Sequence, residues 1–296
     1  MAQQVFCRAT VSAGWLSGAL KTRPPGPALR VLDSSWYGPG GKDARKEFAE
    51  RHIEGASFFD LDRCSDRSSP YEMMLPGEAQ FAKYVSGLGI NNESHVVVYD
   101  CDSSGMLYAP RVWWMFRLFG HNKVSVLDGG LKNWLRQGLP VTSQATDVKP
   151  EEFRSRFNPS LLKTFEDVQE NLAIRGFQLV DARSEGRFRG PEPKPGEGIE
   201  PGHIPGSVNL PFSSFLTADG YEKSPAEIRQ LFQEKGIDLT KPLTATCRRG
   251  VTACHLALAS FLLGKEDTAV YDGSWSEWFH RAKPEHKAFE TSRSKA

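Results

Sequence analysis

The sequence predicts an α/β protein of two tandem domains, each a parallel sheet with helices on both faces. Three observations carry this. The chain has 296 residues, more than one average domain needs. Its two halves repeat each other. Both halves alternate short apolar runs with helical stretches, the pattern of a covered parallel sheet. The repeat rests on four pairs of segments that recur in the same order about 150 residues apart. Val31-Leu32-Asp33-Ser34-Ser35 returns as Leu179-Val180-Asp181-Ala182-Arg183, and His52-Ile53-Glu54-Gly55-Ala56 as His203-Ile204-Pro205-Gly206-Ser207. Val97-Val98-Tyr99-Asp100 matches Thr244-Ala245-Thr246-Cys247. Leu127-Asp128-Gly129-Gly130, followed by Trp134, matches Tyr271-Asp272-Gly273-Ser274, followed by Trp278. One such match carries little weight, whereas four in order indicate a duplicated domain.

The composition excludes several classes. Hydrophobic residues make up 39% and charged residues 25%, which suits a packed core and not a disordered chain. Lys plus Arg count 37 against 36 for Asp plus Glu, so nucleic acid is not expected as a main partner. No run approaches the roughly 18–20 apolar residues of a membrane span, so no membrane partner is expected either. Five widely separated cysteines form neither a disulfide framework nor a zinc pattern and suit a reducing compartment.

Along the chain, the first 32 residues hold no acid but contain Arg8, Lys21, Arg23 and Arg30. Val5, Cys7, Val11, Trp15, Ala19 and Leu20 fall on one helical face. The stretch reads equally as an amphipathic mitochondrial import signal or as a docked first helix. The first domain is expected over 1–143. A linker is expected over 144–158, inside a boundary region where Thr142–Pro150 is polar. The second domain is expected over 159–285, and a charged tail over 286–296, with 282–296 loose. In the second half, strands are predicted at Gln178–Val180, Ser207–Leu210, Leu243–Thr246 and Ala269–Tyr271. Helices are predicted at Ala226–Lys235 and at Thr252–Leu263, the latter stopped by Gly264. Pro191–Pro201 reads as a surface excursion. Trp113, Trp114, Trp134, Trp275 and Trp278 read as core or interface aromatics, and His52 and His203, at duplicated turns, as structural.

The chemistry is expected where the strand Leu243–Thr246 runs into Cys247-Arg248-Arg249-Gly250-Val251-Thr252 and then a helix. In a parallel sheet, ligands bind beyond the carboxyl ends of strands. A cysteine there faces helix-start N–H groups, with Arg248 and Arg249 adding fixed charge. Both effects favour thiolate and should lower the Cys247 pKa below about 8.5. Gly250 lets successive N–H groups, those of Val251 and Thr252 included, converge on an anion. Arg187, in Gly186-Arg187-Phe188-Arg189-Gly190, either holds the far end of an anionic substrate or is a solvated loop arginine. Cys254, Cys7 and Cys64 have no such support. Cys101 follows Asp100, which stands in the first half where Cys247 stands in the second, so the first copy reads as catalytically silent. Six residues after Cys247 stands Ala253, not the arginine of a phosphatase loop, which disfavours phosphate-ester chemistry.

The Cys247–Ala253 motif, the segment Tyr271-Asp272-Gly273-Ser274-Trp275-Ser276-Glu277-Trp278-Phe279 and, in the first half, Ala109-Pro110-Arg111-Val112-Trp113-Trp114-Met115-Phe116 resemble the two-domain rhodaneses. The likeness spans nearly the whole chain. It implies two tandem rhodanese-like domains, the first inactive, with a persulfide intermediate on Cys247 in the second. It also implies a choice between two vertebrate types, one using thiosulfate and the other 3-mercaptopyruvate. In the thiosulfate type the loop reads Cys-Arg-Lys-Gly, and the lysine and an arginine matching Arg187 contact substrate. In the mercaptopyruvate type it reads Cys-Gly-Ser-Gly, and the serine works with a histidine before Leu-Pro-Gly. Here those two positions hold Arg249 and Met74, the latter before Leu75-Pro76-Gly77, and both oppose mercaptopyruvate. Gly186–Gly190 and Gly198–Pro205 are closer to that second type, but the loop touches substrate and outweighs them. Arg249 in place of lysine keeps the charge but exchanges a compact ammonium for a planar fork.

The resemblance therefore implies a thiosulfate sulfurtransferase working by double displacement. Arg187, Arg248 and Arg249 bind substrate, and Gly250, Val251 and Thr252 form the loop that stabilises the persulfide. The expected partners are small molecules (thiosulfate, cyanide and thiols), with no metal or organic cofactor, and the expected state is a monomer. The N-terminus and the resemblance together point to the mitochondrial matrix, with the cytoplasm as the alternative. Mercaptopyruvate as donor is the alternative enzyme reading. A sulfur carrier or binding module without turnover is the alternative from another class.

Overall fold

The computed structural model describes residues 8–22, 28–38, 40–190 and 198–289. The chain divides into two compact units. The first comprises residues 1–68, 75–158 and 216–222; the second comprises 69–74, 159–215 and 223–296.

In the first unit the elements run β1 (Thr10–Val11), α1 (Ala13–Thr22), β2 (Leu29–Asp33), α2 (Ala44–Glu50), β3 (Ala56–Phe58), α3 (Glu78–Gly87), β4 (His95–Tyr99), α4 (Ala109–Leu118), β5 (Val124–Leu127) and α5 (Gly130–Arg136). The second unit repeats the series as β6 (Leu162–Lys163), α6 (Phe165–Ile174), β7 (Gln178–Asp181), α7 (Glu185–Arg189), β8 (Val208–Asn209), α8 (Pro225–Glu234), β9 (Leu243–Thr246), α9 (Val251–Leu262), β10 (Ala269–Tyr271) and α10 (Ser274–Arg281). Among the described residues each unit holds one five-stranded sheet, ordered β1-β5-β4-β2-β3 and β6-β10-β9-β7-β8. The strand pairings within both sheets are parallel. The same order in both halves is what the duplicated segments require.

The central strands β4 and β9 are buried because helices cover both faces of each sheet, and β4 reads accordingly as His-Val-Val-Val-Tyr. The helix after each central strand is apolar almost all round. In α4 nine residues are buried, Trp113 and Trp114 among them, and in α9 the buried run reaches Ser260. Trp134, Trp275 and Trp278 are buried as well, as the core reading expected. His52 and His203 are structural twins. His52 stacks on Phe48 at 4.1 Å and bridges to Thr142, and His203 stacks on Phe188 at 3.9 Å and bridges to Ala288.

Three expectations need correction. The helical face proposed for the N-terminus breaks at Val11, which lies in β1 and pairs with Leu127. The helix α1 buries Ala13, Leu16 and Ser17 and leaves Trp15 45% exposed. A two-residue edge strand is too short to disturb a helical spacing pattern, so the sequence concealed it. Val5 and Cys7 lie outside the described residues. Residues 144–158, expected as a linker, instead lie along the first unit. Phe153 is buried there, and the N–H groups of Glu151 and Arg156 donate to Ser86 O and Phe119 O. The tail is docked over its described part: Ala282 is buried, Trp278 Nε1 donates to His286 O at 2.8 Å, and Ala288 pairs with His203. Residues 290–296 of that tail, and 191–197 of the predicted surface excursion, lie outside the described residues.

Candidate active site

Cys247 follows the last residue of β9, the middle strand of its sheet, with β10 on one side and β7 on the other. The connections leave this strand in opposite directions, which opens a crevice at its carboxyl end. The chain crosses from β9 to α9 in four residues, Cys247 to Gly250. Gly250 caps the helix at φ +73°, a left-handed conformation that glycine adopts without strain. The first N–H groups of α9, those of Val251 and Thr252 among them, lack carbonyl partners within the helix and face this turn.

A side chain missing from the sequence expectations holds the turn. Ser274 Oγ accepts the N–H of Cys247 at 3.0 Å and that of Gly250 at 3.2 Å, and donates to Tyr271 O at 2.7 Å. Ser274 is fully buried and sits at φ +51°, a strained conformation for a residue with a Cβ. The N–H groups of Trp275 and Ser276 then donate to the carbonyls of Cys247 and Arg248, both at 3.0 Å. The start of α10 thus fixes the cysteine loop through four hydrogen bonds. The N–H of Gly250, expected to serve a bound anion, makes one of these four.

Cys247 is 2% exposed, at the bottom of this arrangement. Arg248 and Arg249, which follow it in the turn, are half-buried, while Arg187 stands exposed on α7. Burial pushes the Arg248 guanidinium down to about 10, and repulsion from Arg249, Arg187 and Arg183 adds to this. The three predicted arginines therefore share one electrostatic neighbourhood, and Arg183 is a fourth member. Arg183 is itself buried and paired with Asp181 at 2.6 Å, bonded to Gly202 O at 2.6 Å, and lies over the Trp275 ring at 5.1 Å. The purely cationic cup expected from sequence needs correction. The Arg249 guanidinium is bonded to the carboxylate of Glu72, which also counters the push on Arg248.

The other described cysteines are built differently. Burial pushes the thiols of Cys64 and Cys101 up, and Cys101 sits against Asp33 Oδ2 at 3.8 Å. Cys254 lies within α9 and donates to Gly250 O at 3.0 Å. In the first unit, Asp100 occupies the position of Cys247. Its Oδ2 accepts N–H groups from Leu107, Tyr108 and Ala109 at 3.0, 2.8 and 2.8 Å, and its Oδ1 accepts from Asp102 at 3.0 Å. Among the described residues there is no group of three His, Cys, Asp or Glu arranged to hold a metal ion, and no helix long and apolar enough to cross a membrane.

A family model described as the rhodanese-like domain matches residues 42–137 and 164–281. The chain belongs to the rhodanese family. This rhodanese is 60% identical to a thiosulfate sulfurtransferase of Bos taurus over 286 residues, 96% of each chain. It is 59% identical to a 3-mercaptopyruvate sulfurtransferase of Homo sapiens, again over 96% of each. Its fold is similar to the crystal structure of SseA from Escherichia coli, described with the 3-mercaptopyruvate sulfotransferases. That match has 34% identity and a TM-score of 0.80, covering 90% of this rhodanese and 98% of that chain. Overall identity is thus nearly equal for relatives of both donor types.

Sequence reasoning missed Ser274, Arg183 and Glu72. The first left a trace, because the duplicated Asp-Gly-Gly of the first half becomes Asp-Gly-Ser in the second. Arg183 stands at the end of a duplicated strand motif, where the first half has Ser35. Glu72 left none, lying far from Arg249 in the chain.

Proposed function

We propose that this rhodanese is a sulfurtransferase that moves the outer sulfur of thiosulfate to cyanide or a thiol through a persulfide on Cys247. One observation carries the reading: a cysteine at the carboxyl end of the central strand, in a turn held by Ser274, followed by Arg248, which feels the charges of Arg249, Arg187 and Arg183. The Cys247 thiolate attacks the outer sulfur of thiosulfate. The sulfur–sulfur bond of the donor breaks, its electron pair leaves with sulfite, and Cys247 is left as a persulfide anion. Arg249, Arg248 and Arg187 hold the sulfonate end and favour the charge gathering on the departing sulfite. The N–H groups at the start of α9, those of Val251 and Thr252, favour the persulfide anion, while that of Gly250 holds the turn through Ser274. Cyanide or a thiolate then attacks the outer sulfur, carries it away and returns the Cys247 thiolate. Division into two displacements gives ping-pong kinetics. Every group in this scheme belongs to one chain, in keeping with a monomer, and the acid-free N-terminus supports the mitochondrial matrix as its location.

The donor is assigned by charge. Arg248 and Arg249 stand where a mercaptopyruvate-type loop has glycine and serine, and two guanidinium groups favour a dianion. The test compares kcat/KM for thiosulfate and mercaptopyruvate with cyanide as acceptor, in the wild type and in the double change Arg248→Gly, Arg249→Ser. The expected wild type prefers thiosulfate, and the exchange shifts that preference by about tenfold or more toward mercaptopyruvate. A wild type that prefers mercaptopyruvate, or an exchange that leaves the ratio unmoved, contradicts the donor assignment. A chain that takes up sulfur yet yields no thiocyanate is a carrier and contradicts turnover.

A further inference from the structure

Glu72 is an acid in a site built to attract anions. Its carboxylate bonds to the Arg249 guanidinium, and of the two side chains the acid is the more exposed, 50% against 15%. Glu72 therefore stands on the solvent side of Arg249. The segment that carries it, residues 69–74, clusters with the second unit although the chain on either side of it belongs to the first. Tyr71 lies 5.9 Å from the ring of His280, within that unit, and Met73 and Met74 are buried in the chain. Met73 takes φ +61°, a turn that a residue with a Cβ keeps only where packing holds it. Pinned on both sides, Glu72 is presented to the arginines as a fixed counter-charge.

We infer that Glu72 sets how tightly the site holds anions, its carboxylate competing with the anionic end of donor and product for Arg249. The inference rests on the proposed reading of Arg249 as a donor contact. Arg183 already has Asp181 opposite it, and the other three guanidinium groups with no opposing acid would bind a dianion tightly in every state, the departing sulfite included. Binding donor and product alike lowers KM without raising kcat. One competing carboxylate relaxes that hold, and because the repulsion scales with ligand charge it weighs most on dianions.

The test uses anions that cannot transfer sulfur. Sulfate and methanesulfonate, with two charges and one, are titrated as protectants of Cys247 against iodoacetamide, with the modified peptide counted by mass spectrometry. In Glu72→Gln, half-protection by sulfate is expected at about fivefold lower concentration and that by methanesulfonate at about twofold lower. In an Arg249→Ala background the same change is expected to move sulfate by less than twofold. Glu72→Ala, which removes the carboxylate without leaving an amide, is expected to act in the same direction. Unchanged or weaker sulfate protection in Glu72→Gln overturns the inference, because a residue that merely positioned Arg249 would lose affinity when neutralised. Since sulfate needs no turnover, a failure of the thiosulfate reading is seen separately, as absent thiocyanate with the sulfate shift intact.

Discussion

Two loops leave the central strands of two sheets with the same strand order, and they treat the anion-attracting start of the next helix in opposite ways. After β4 the chain takes nine residues, 100–108, to reach α4; after β9 it takes four, 247–250, to reach α9. The longer loop folds back on its own Asp100, whose carboxylate accepts the N–H groups of Leu107, Tyr108 and Ala109. The shorter loop places a cysteine at that point and takes its support from outside, from Ser274. Both keep one bond in common: the N–H of Leu131 donates to Asp100 O as that of Trp275 donates to Cys247 O, each at 3.0 Å. The backbone frame is therefore shared, and the difference lies in whether the anion is part of the protein. An internal carboxylate fills the first cradle, whereas on the proposed reading the second receives a substrate. The first is covered as well. Residues 216–222 lie over it, with Asn133 Nδ2 donating to Asp219 O at 2.9 Å and the N–H of Glu222 to Asp128 Oδ1 at 2.8 Å.

The largest expected effect comes from exchanging the residues that differ most. Gly130, the counterpart of Ser274, sits at φ +56°, and a Cβ there would run into Gly105 O and come within 2.7 Å of Asp100 O. Gly130→Ser is expected to cost about 4 kcal/mol, from overpacking together with a strained backbone, and to lower the Tm by about 10 °C. The reverse change, Ser274→Gly, leaves two buried N–H groups without their acceptor. It is expected to lower kcat/KM for sulfur transfer by about thirtyfold with the fold retained by circular dichroism. Comparable stability losses at both positions, with activity unmoved at Ser274, would break the comparison.

A smaller effect sharpens it. Burial raises the Asp100 carboxyl from 3.8 to about 6, against the pull of its N–H partners. Between those values the folded chain binds a proton that the unfolded chain releases. Asp100 therefore contributes stability that is full below pH 4 and lost as pH rises to 6. The loss amounts to roughly 3 kcal/mol. Asp100→Asn cannot titrate, so denaturant melts should show the wild type losing stability relative to it across this window. A constant difference would mean that the carboxylate is not held in a dry cradle.

Much of this was legible in the sequence, and the rest was hidden for physical reasons. The duplicated strand ends located both loops, and the strands at Leu243–Thr246 and Ala269–Tyr271 lie where apolar runs between helices placed them. The edge strands β1 and β6, two residues each, are too short for alternation to register. The helix α6 carried an unused signal, the capping box of Thr164 with Asp167. The boundary around residue 150 read as polar because charged neighbours masked Phe153, which is buried. Cys247 and its arginines were visible because they are contiguous. Glu72 was not, since tertiary packing alone brings residue 72 to residue 249.

The central claim is that one loop keeps its cradle for a substrate and the other does not. Peptide mapping by mass spectrometry after thiosulfate treatment tests it most directly. The account predicts one added sulfur on the peptide containing Cys247, removable by cyanide, and none on the peptide containing Cys101 beside Asp100. Added sulfur on Cys101, or none on Cys247, would contradict it.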